Sequence, residues 1–323
     1  MISKLVIILF NLACVNQDKY IGSIERLSNE INTLIDKNAR IEILADGFEW
    51  SEGPVWSSQL NSVLFSDVPE NVIYSWNEEK GLDIFTRPIG YSGEVPNLKK
   101  AGTNGLTIDA AGNLIICMHG DRKITKLEKL NINRKATLVN SFGGNLLNSP
   151  NDLVYDSEGN LYFTDPPYGL LEGDNDKLKE IEFNGVYKVS PNGDIEVLVK
   201  NLTRPNGISI SNDEKTLYVA NSDKNNPVIM QYELSVEGAI NPSIFFDGRE
   251  LTKKDIGLFD GLKVHPTGNI FATGPGGVLI IKENGDHIGT IRTDVRTANC
   301  AFDENFQYLY MTSDMFLTRI KLL

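Results

Sequence analysis

One pattern recurs six times along this chain and limits its fold more than any other feature. A polar residue, usually followed by glycine, opens a short strand, and ten or eleven residues later comes a second strand of the form Leu-Tyr-Phe-Thr. The copies open at Glu52-Gly53, Asn104-Gly105, Asn151-Asp152, Asn206-Gly207, Asp260-Gly261 and Asn299-Cys300, at intervals of 52, 47, 55, 54 and 39 residues. The second strands are Val63-Leu64-Phe65, Leu114-Ile115-Ile116, Leu161-Tyr162-Phe163, Leu217-Tyr218-Val219, Ile270-Phe271-Ala272 and Leu309-Tyr310-Met311. Alternating apolar residues and turn signals such as Ala111-Gly112-Asn113 fill the intervals, which suits a four-stranded blade better than a helical repeat of about 34 residues. The expected fold is all-β, a six-bladed β-propeller.

A ring of blades has to close, because an unpaired sheet edge invites aggregation. The last repeat ends at Leu323 after a third strand over Leu317 to Leu322, so its fourth strand must come from elsewhere. Ile41-Glu42-Ile43-Leu44, ahead of the first repeat, is the segment expected to supply it. Before that, Ile24, Leu27, Ile31, Leu34 and Ile35 fall at helical spacing, with Ser23 and Asn29 as candidate caps, and predict a short N-terminal helix over 23–37. Two connections exceed what a hairpin needs, Arg87 to Thr103 and Pro166 to Gly185; both are expected inside repeats one and three, rimming an axial pocket.

The charge balance excludes some partners. With 31 Lys plus Arg against 43 Asp plus Glu, the net charge of -12 argues against nucleic acid and anionic membrane surfaces. Lys4, the apolar run Leu5 to Phe10, and Asn11-Leu12-Ala13-Cys14 read as a leader over 1–19 of the bacterial lipoprotein type, although Asn11 stands where Leu is preferred. The alternative is a plain secretory signal cleaved nearby. Either reading predicts export, to the periplasm or to a membrane through a lipid anchor at Cys14, and leaves 20–323 as the propeller domain. Cys117 and Cys300 lie in different repeats without metal-type spacing, so no disulfide framework is expected and both should be small core residues.

Propeller blades surround a central channel, and the first strand of each lines it. The six opening residues, Glu52, Asn104, Asn151, Asn206, Asp260 and Asn299, therefore converge near one axis. They offer carboxylate and amide oxygens with no Cys or His, a set that suits a hard cation, and a wide channel favours calcium over magnesium. The competing reading is that Asn-Gly and Asp-Gly here are turn dipeptides, as Asn192-Gly193, Asn284-Gly285 and Asp247-Gly248 are elsewhere in the chain. Turn chemistry does not account for Glu52.

Several stretches resemble the gluconolactonase branch of the SMP-30/gluconolactonase (regucalcin-like) family. They are Phe48-Glu49-Trp50-Ser51-Glu52-Gly53-Pro54-Val55-Trp56, Ser149-Pro150-Asn151-Asp152-Leu153, Thr164-Asp165-Pro166-Pro167-Tyr168-Gly169-Leu170, Phe183-Asn184-Gly185-Val186-Tyr187 and Arg204-Pro205-Asn206-Gly207, and the similarity runs from about Ser23 to the end. The resemblance implies divalent-ion ligands at Glu52, Asn206 and Asp260 with Asn151 close by, and hydrolysis of aldonolactones such as gluconolactone to the acid. Calcium is the expected ion, with magnesium, manganese or zinc able to substitute. Asn104 is expected to touch substrate or water, and Asn299 to be structural. Animal members of the family carry an Arg two residues before the third-repeat Asn, where this chain has Ser149, so sugar recognition is expected to differ.

In that chemistry the ion polarises the carbonyl while a neighbouring carboxylate, assigned to Asp260, takes a proton from water; His119 is the rival base. His119, Arg122, Asn151 and Tyr168 join Asn104 as candidate substrate contacts, whereas His265 and His287 are expected at the surface. The polar loop Leu171 to Asp176 favours a hydroxylated substrate. The alternatives are a calcium-dependent esterase or organophosphate hydrolase and a non-catalytic sugar-binding propeller. No Gly-x-Ser-x-Gly or phosphate-binding glycine loop is present.

Overall fold

The computed structural model describes residues 19–323 apart from 94, 96–98 and 100. The leader reading and Cys14 lie outside the described residues. Six antiparallel sheets form blades that follow one another in chain order, with a separate two-stranded sheet, Ser141–Phe142 and Asn145–Leu146, between the second and third in sequence. Blade one is Ser51–Ser57, Ser62–Asp67, Val72–Asn77 and Gly81–Thr86; blade two is Thr103–Ile108, Leu114–Met118, Lys123–Leu127 and Lys135–Val139. Blade three is Leu153–Tyr155, Leu161–Asp165, Gly185–Val189 and Ile195–Val199; blade four is Pro205–Ile210, Thr216–Asn221, Val228–Ser235 and Gly238–Asp247. Blade five is Leu262–Val264, Ile270–Gly274, Gly277–Ile281 and His287–Arg292. Blade six has three late strands, Asn299–Phe302, Tyr308–Ser313 and Phe316–Lys321.

The sixth blade is completed by Ile41–Asp46, which pairs antiparallel with Phe316–Lys321 through Phe316 with Asp46 and Thr318 with Ile43. The expected closure by the N-terminal strand is thus present. Arg319 reinforces it by donating from Nε to Glu42 Oε2 at 3.0 Å.

The expected helix over 23–37 is not formed. Ser23–Arg26 is instead a fifth strand on the outer edge of blade five, and Tyr20–Ile21 is a fifth strand on blade six. The chain crosses between the two edges at Gly22, where φ is +66° and an added Cβ would stand 1.8 Å from the Arg292 carbonyl oxygen. Only Asn29–Thr33 coils, as a 3₁₀ turn capped by Ser28 and not by Ser23 or Asn29. The physical reason is competition for backbone groups: the blade edge offers pairing over four residues, which a short isolated helix cannot match. The apolar spacing reflects burial of Ile31, Leu34 and Ile35 with Ile41 against Phe271, Ile291 and Ile320. Among the described residues, the helical elements are three short 3₁₀ turns, and none is long and apolar enough to cross a membrane.

Adjacent blades pack through shared apolar clusters, for example Val186 and Val199 of blade three with Ile208, Leu217 and Val219 of blade four. Each such side chain contributes about 1.5–3 kcal/mol by leaving water. Cys117 and Cys300 are buried free thiols, as expected. His265 departs from expectation: it is buried among Phe271, Phe302 and Phe306, and its Nδ1 pairs with Thr267 Oγ1 at 2.8 Å.

The glycine that follows most opening residues has a packing reason. An added Cβ on Gly53 would stand 2.2 Å from the Asn104 carbonyl oxygen, on Gly105 2.4 Å from that of Asn151, and on Gly207 2.1 Å from that of Asp260. Each inner strand thus lies against the next so closely that a side chain cannot fit. The hydroxyl closing the second-strand motif bonds across the same seam, Ser66 Oγ donating to Asn104 O at 2.7 Å and Thr164 Oγ1 to Asn206 O at 2.7 Å.

Candidate active site

At the opening residues of blades one, two and four the ladder slips register, between Glu52 and Val55, Thr103 and Leu106, and Pro205 and Ile208. A bulge of this kind re-aims a side chain without ending the strand. In blades three and five the ladder starts only after the opening residue, leaving Asn151 and Asp260 just outside it. Gly105, Gly207 and Gly261 lack the positive φ that the turn glycines Gly193 and Gly285 show at +91° and +89°, so these three pairs are not turn dipeptides, whereas Gly53, at the bulge after Glu52, has a φ of +48°.

The result is one cavity of about 430 Å³ on the axis. Its floor carries Glu52, Asn104, Asn151, Asn206 and Asp260, and its walls Trp50, Val68, Pro69, Lys99, Ala101, His119, Tyr168, Ser222 and Leu258. All six opening residues were expected to converge, and five of them line this cavity. Asn299 does not line the cavity: it pairs regularly with Thr312 and its Oδ1 accepts from Cys300 N at 2.9 Å, although its side chain also reaches Glu52 and lowers that carboxyl.

Three oxygens in this set, Asn104 Oδ1, Asn206 Oδ1 and Asp260 Oδ1, are buried with no hydrogen-bond partner in the protein, and so is His119 Nε2. Leaving such atoms unmatched is costly, so their gathering in one cavity calls for something to meet them. Among the described residues no group of three or more His, Cys, Asp and Glu is placed to hold a metal. The set here has two acids, and amide oxygens make up the rest; that composition fits a hard oxygen-seeking cation and not a soft one.

Burial pushes the Glu52 carboxyl up to about 7, helped by the charge of Asp152 and opposed by the hydrogen bond from Gly53 N at 2.8 Å. Burial also raises Asp260 well above the usual carboxylate range, with Glu52 and Asp152 adding to the effect. His119 moves the other way, down to about 3, because burial and then the charge of Lys99 disfavour the imidazolium. It is a neutral ring at neutral pH.

Two connections contribute to the lining, Lys99 and Ala101 from one and Tyr168 from the other. Residues 87–102 join blade one to blade two, not two strands of one repeat as expected, and residues 166–184 link the second and third strands of blade three. Lys99 Nζ donates to Tyr168 O at 2.5 Å and ties the loops together. Ser149, which departs from the animal pattern, is fully buried: its Oγ donates to Pro166 O at 2.6 Å and accepts from Gly169 N at 2.8 Å, holding the loop that presents Tyr168.

Arg122 is not a substrate contact. It is 1% exposed, outside the cavity, and donates from Nε to Leu147 O at 2.6 Å and from Nη1 to Leu178 O at 2.8 Å. Its guanidinium ties loop segments together, a use that a carbonyl-rich corner makes of any buried cation. The polar loop 171–176 is also absent from the cavity lining; Asp174 there pairs with Arg204 and Asn184. The walls of the cavity, with Trp50, Val68, Pro69, Ala101 and Leu258, are more apolar than that loop implied.

Sequence reasoning missed Trp50, Val68, Pro69, Lys99, Ala101, Ser222 and Leu258. A signal existed for two of them: Val68 and Ser222 directly follow a second strand, in the same phase as His119 after Met118.

The profile of the SMP-30/gluconolactonase/LRE-like region matches residues 50–315. The gluconolactonase of Zymomonas mobilis subsp. mobilis is 34% identical over 308 residues, 93% of this chain and 86% of that protein. The solved gluconolactonase of Xanthomonas campestris superposes with a TM-score of 0.82 at 27% identity, covering 94% of this chain and 97% of that one. The lactonase drp35 of Staphylococcus saprophyticus subsp. saprophyticus is 29% identical over 204 residues, 59% of this chain and 57% of that protein.

Proposed function

Because the chain belongs to the SMP-30/gluconolactonase/LRE-like family, we propose that it hydrolyses sugar lactones to aldonic acids with one divalent cation, calcium by preference, held by Glu52, Asn151, Asn206 and Asp260. The observation that carries this reading is that Asp260 Oδ1 and the amide oxygens of Asn206 and Asn104 lie buried and unpartnered in one cavity that Glu52 and Asn151 also line. Two carboxylates balance one divalent charge, and several neutral oxygens complete the shell that calcium accepts. Bound there, the ion supplies Lewis-acid polarisation of the lactone carbonyl.

The side chains do the rest. Asp260 accepts the proton of the attacking water, whose oxygen bonds to the carbonyl carbon; the ring C–O bond then breaks and the proton passes to the departing ring oxygen. Asp260 is assigned this role through the carboxylate oxygen left free by the ion, because burial makes His119 a weak base, lowered to about 3. Asn104, His119 and Tyr168 offer polar atoms to the sugar hydroxyls, while Trp50, Val68 and Leu258 give an apolar wall for its C–H face.

That wall favours a second reading, turnover of esters or lactones with an apolar substituent, and one assay separates the two. In a pH-stat, glucono-, galactono- or xylonolactone should outpace phenyl acetate and a phosphotriester, and stripping with chelator should abolish the rate until calcium is restored. Comparable rates on phenyl acetate would favour the second reading. Full activity after chelation would remove the cation from the mechanism.

A further inference from the structure

Beneath the cavity floor, one step further along the inner strands, a second set of charged groups crosses the axis. Asp152 of blade three is 2% exposed, and Lys263 of blade five approaches its Oδ2 at 3.6 Å. Asn299 of blade six links them, donating from Nδ2 to Asp152 Oδ2 at 3.4 Å and accepting from Lys263 Nζ on Oδ1 at 3.4 Å. Lys263 also lines a depression of about 440 Å³ on the opposite face of the ring, with Val55, Leu106, Leu153 and Ile210. Its ammonium thus reaches the axis from the side away from the candidate active site.

The charges on the axis can be counted. Glu52, Asp260 and Asp152 bring three carboxylates, and Lys263 brings one ammonium. The charge of Asp152 is felt at both Glu52 and Asp260, and that of Lys263 at Glu52, so these groups share one electrostatic environment. A buried carboxylate without a partner is strongly disfavoured, and a tethered ammonium meets it without using any oxygen of the floor.

We propose that Lys263 is the built-in counter-ion of Asp152 and that, by cancelling this third carboxylate, it sets the axis to take one divalent cation in preference to a trivalent ion or a second divalent one. The proposal rests on the cation reading above. Lys263 is a positioning residue in this scheme: it acts on the ion through Asp152 and touches no substrate.

The test is metal binding by the full-length protein, read by calorimetry with calcium and by terbium emission. The parent and K263R should bind one calcium per chain. K263M should raise the terbium-over-calcium affinity ratio about tenfold or more, or take up a second calcium, because three carboxylates then face the ion with no internal cation. The double variant D152N/K263M should return to the parent ratio. D152N alone, which leaves Lys263 unmatched, should weaken calcium about tenfold and keeps the test decisive if K263M does not fold. Parent-like binding by K263M or D152N, or a double variant that does not revert, overturns the role of Lys263 while leaving the cation intact. A parent that binds neither metal removes the cation reading and this inference together.

Discussion

Asp260 and His119 share one cavity, and burial acts on them in opposite directions because it penalises whichever form is charged. With Asp260 as the proposed base, D260N should lower kcat about 10²–10⁴-fold with little change in the melting temperature, whereas H119N should act mainly on KM; a larger kcat loss in H119N would reverse the assignment. The same shifts give a pH prediction. Glu52 is raised from 4.5 to about 7, so the stability it contributes is present below 4.5 and is lost as pH rises through about 7. His119 is lowered from 6.5 to about 3, so its contribution is present above 6.5 and is lost as pH falls toward 3. Calcium held by Glu52 as proposed would remove the first effect and leave the second, so the rise in melting temperature on adding calcium should grow between pH 5 and pH 7.5. A constant rise would contradict the ligand role of Glu52. Arg122 belongs to a different class: R122Q should cost about 2–4 kcal/mol in chemical denaturation, because buried carbonyls lose their donors.

At the scale of the strand, the repeated residue-glycine pair couples ring packing to the site. Gly207 lets blade four lie against the Asp260 backbone, and Gly207 N donates to Asp260 O at 3.1 Å. G207A must push that strand away, so it should lose about 3 kcal/mol or more and disturb Asp260 with it. By contrast G193A, at an exposed turn with open space for a Cβ, should cost about 1 kcal/mol and leave activity intact. Denaturation curves and lactone assays on both variants check the contrast. Asn299 shows the same rule from the other side, since it is followed by Cys300, keeps a regular ladder and stays out of the cavity.

For the whole molecule, closure is the controlling fact. Ile41–Asp46 joins the first part of the chain to the last, and without it Phe316–Lys321 would become an open edge beside an exposed seam. A chain starting at residue 40 should fold with a lowered melting temperature, having lost only the two added edge strands and the Ile31, Leu34 and Ile35 packing. One starting at residue 48 should lose its cooperative transition and aggregate. Scanning calorimetry and light scattering separate the outcomes, and a cooperative transition in the shorter chain would show that the ring does not depend on this strand.

The repeat alone determined the blade number, the closing strand and the convergence of the six opening residues on one axis, because residues in the same phase of a closed repeat face it, but not that Asn299 would stop short of the cavity. It did not determine what the irregular segments do. Whether 23–37 coils or pairs depended on a blade edge that exists only once the ring has formed, and the burial of Arg122 depended on which carbonyls the loops brought to it. Lys99 and Leu258 reached the cavity through connections that obey no period, and Lys263 met Asp152 and Asn299 only because three blades bring them together across the axis. Periodicity is written locally in the chain; contacts between distant, aperiodic segments are set by packing in three dimensions.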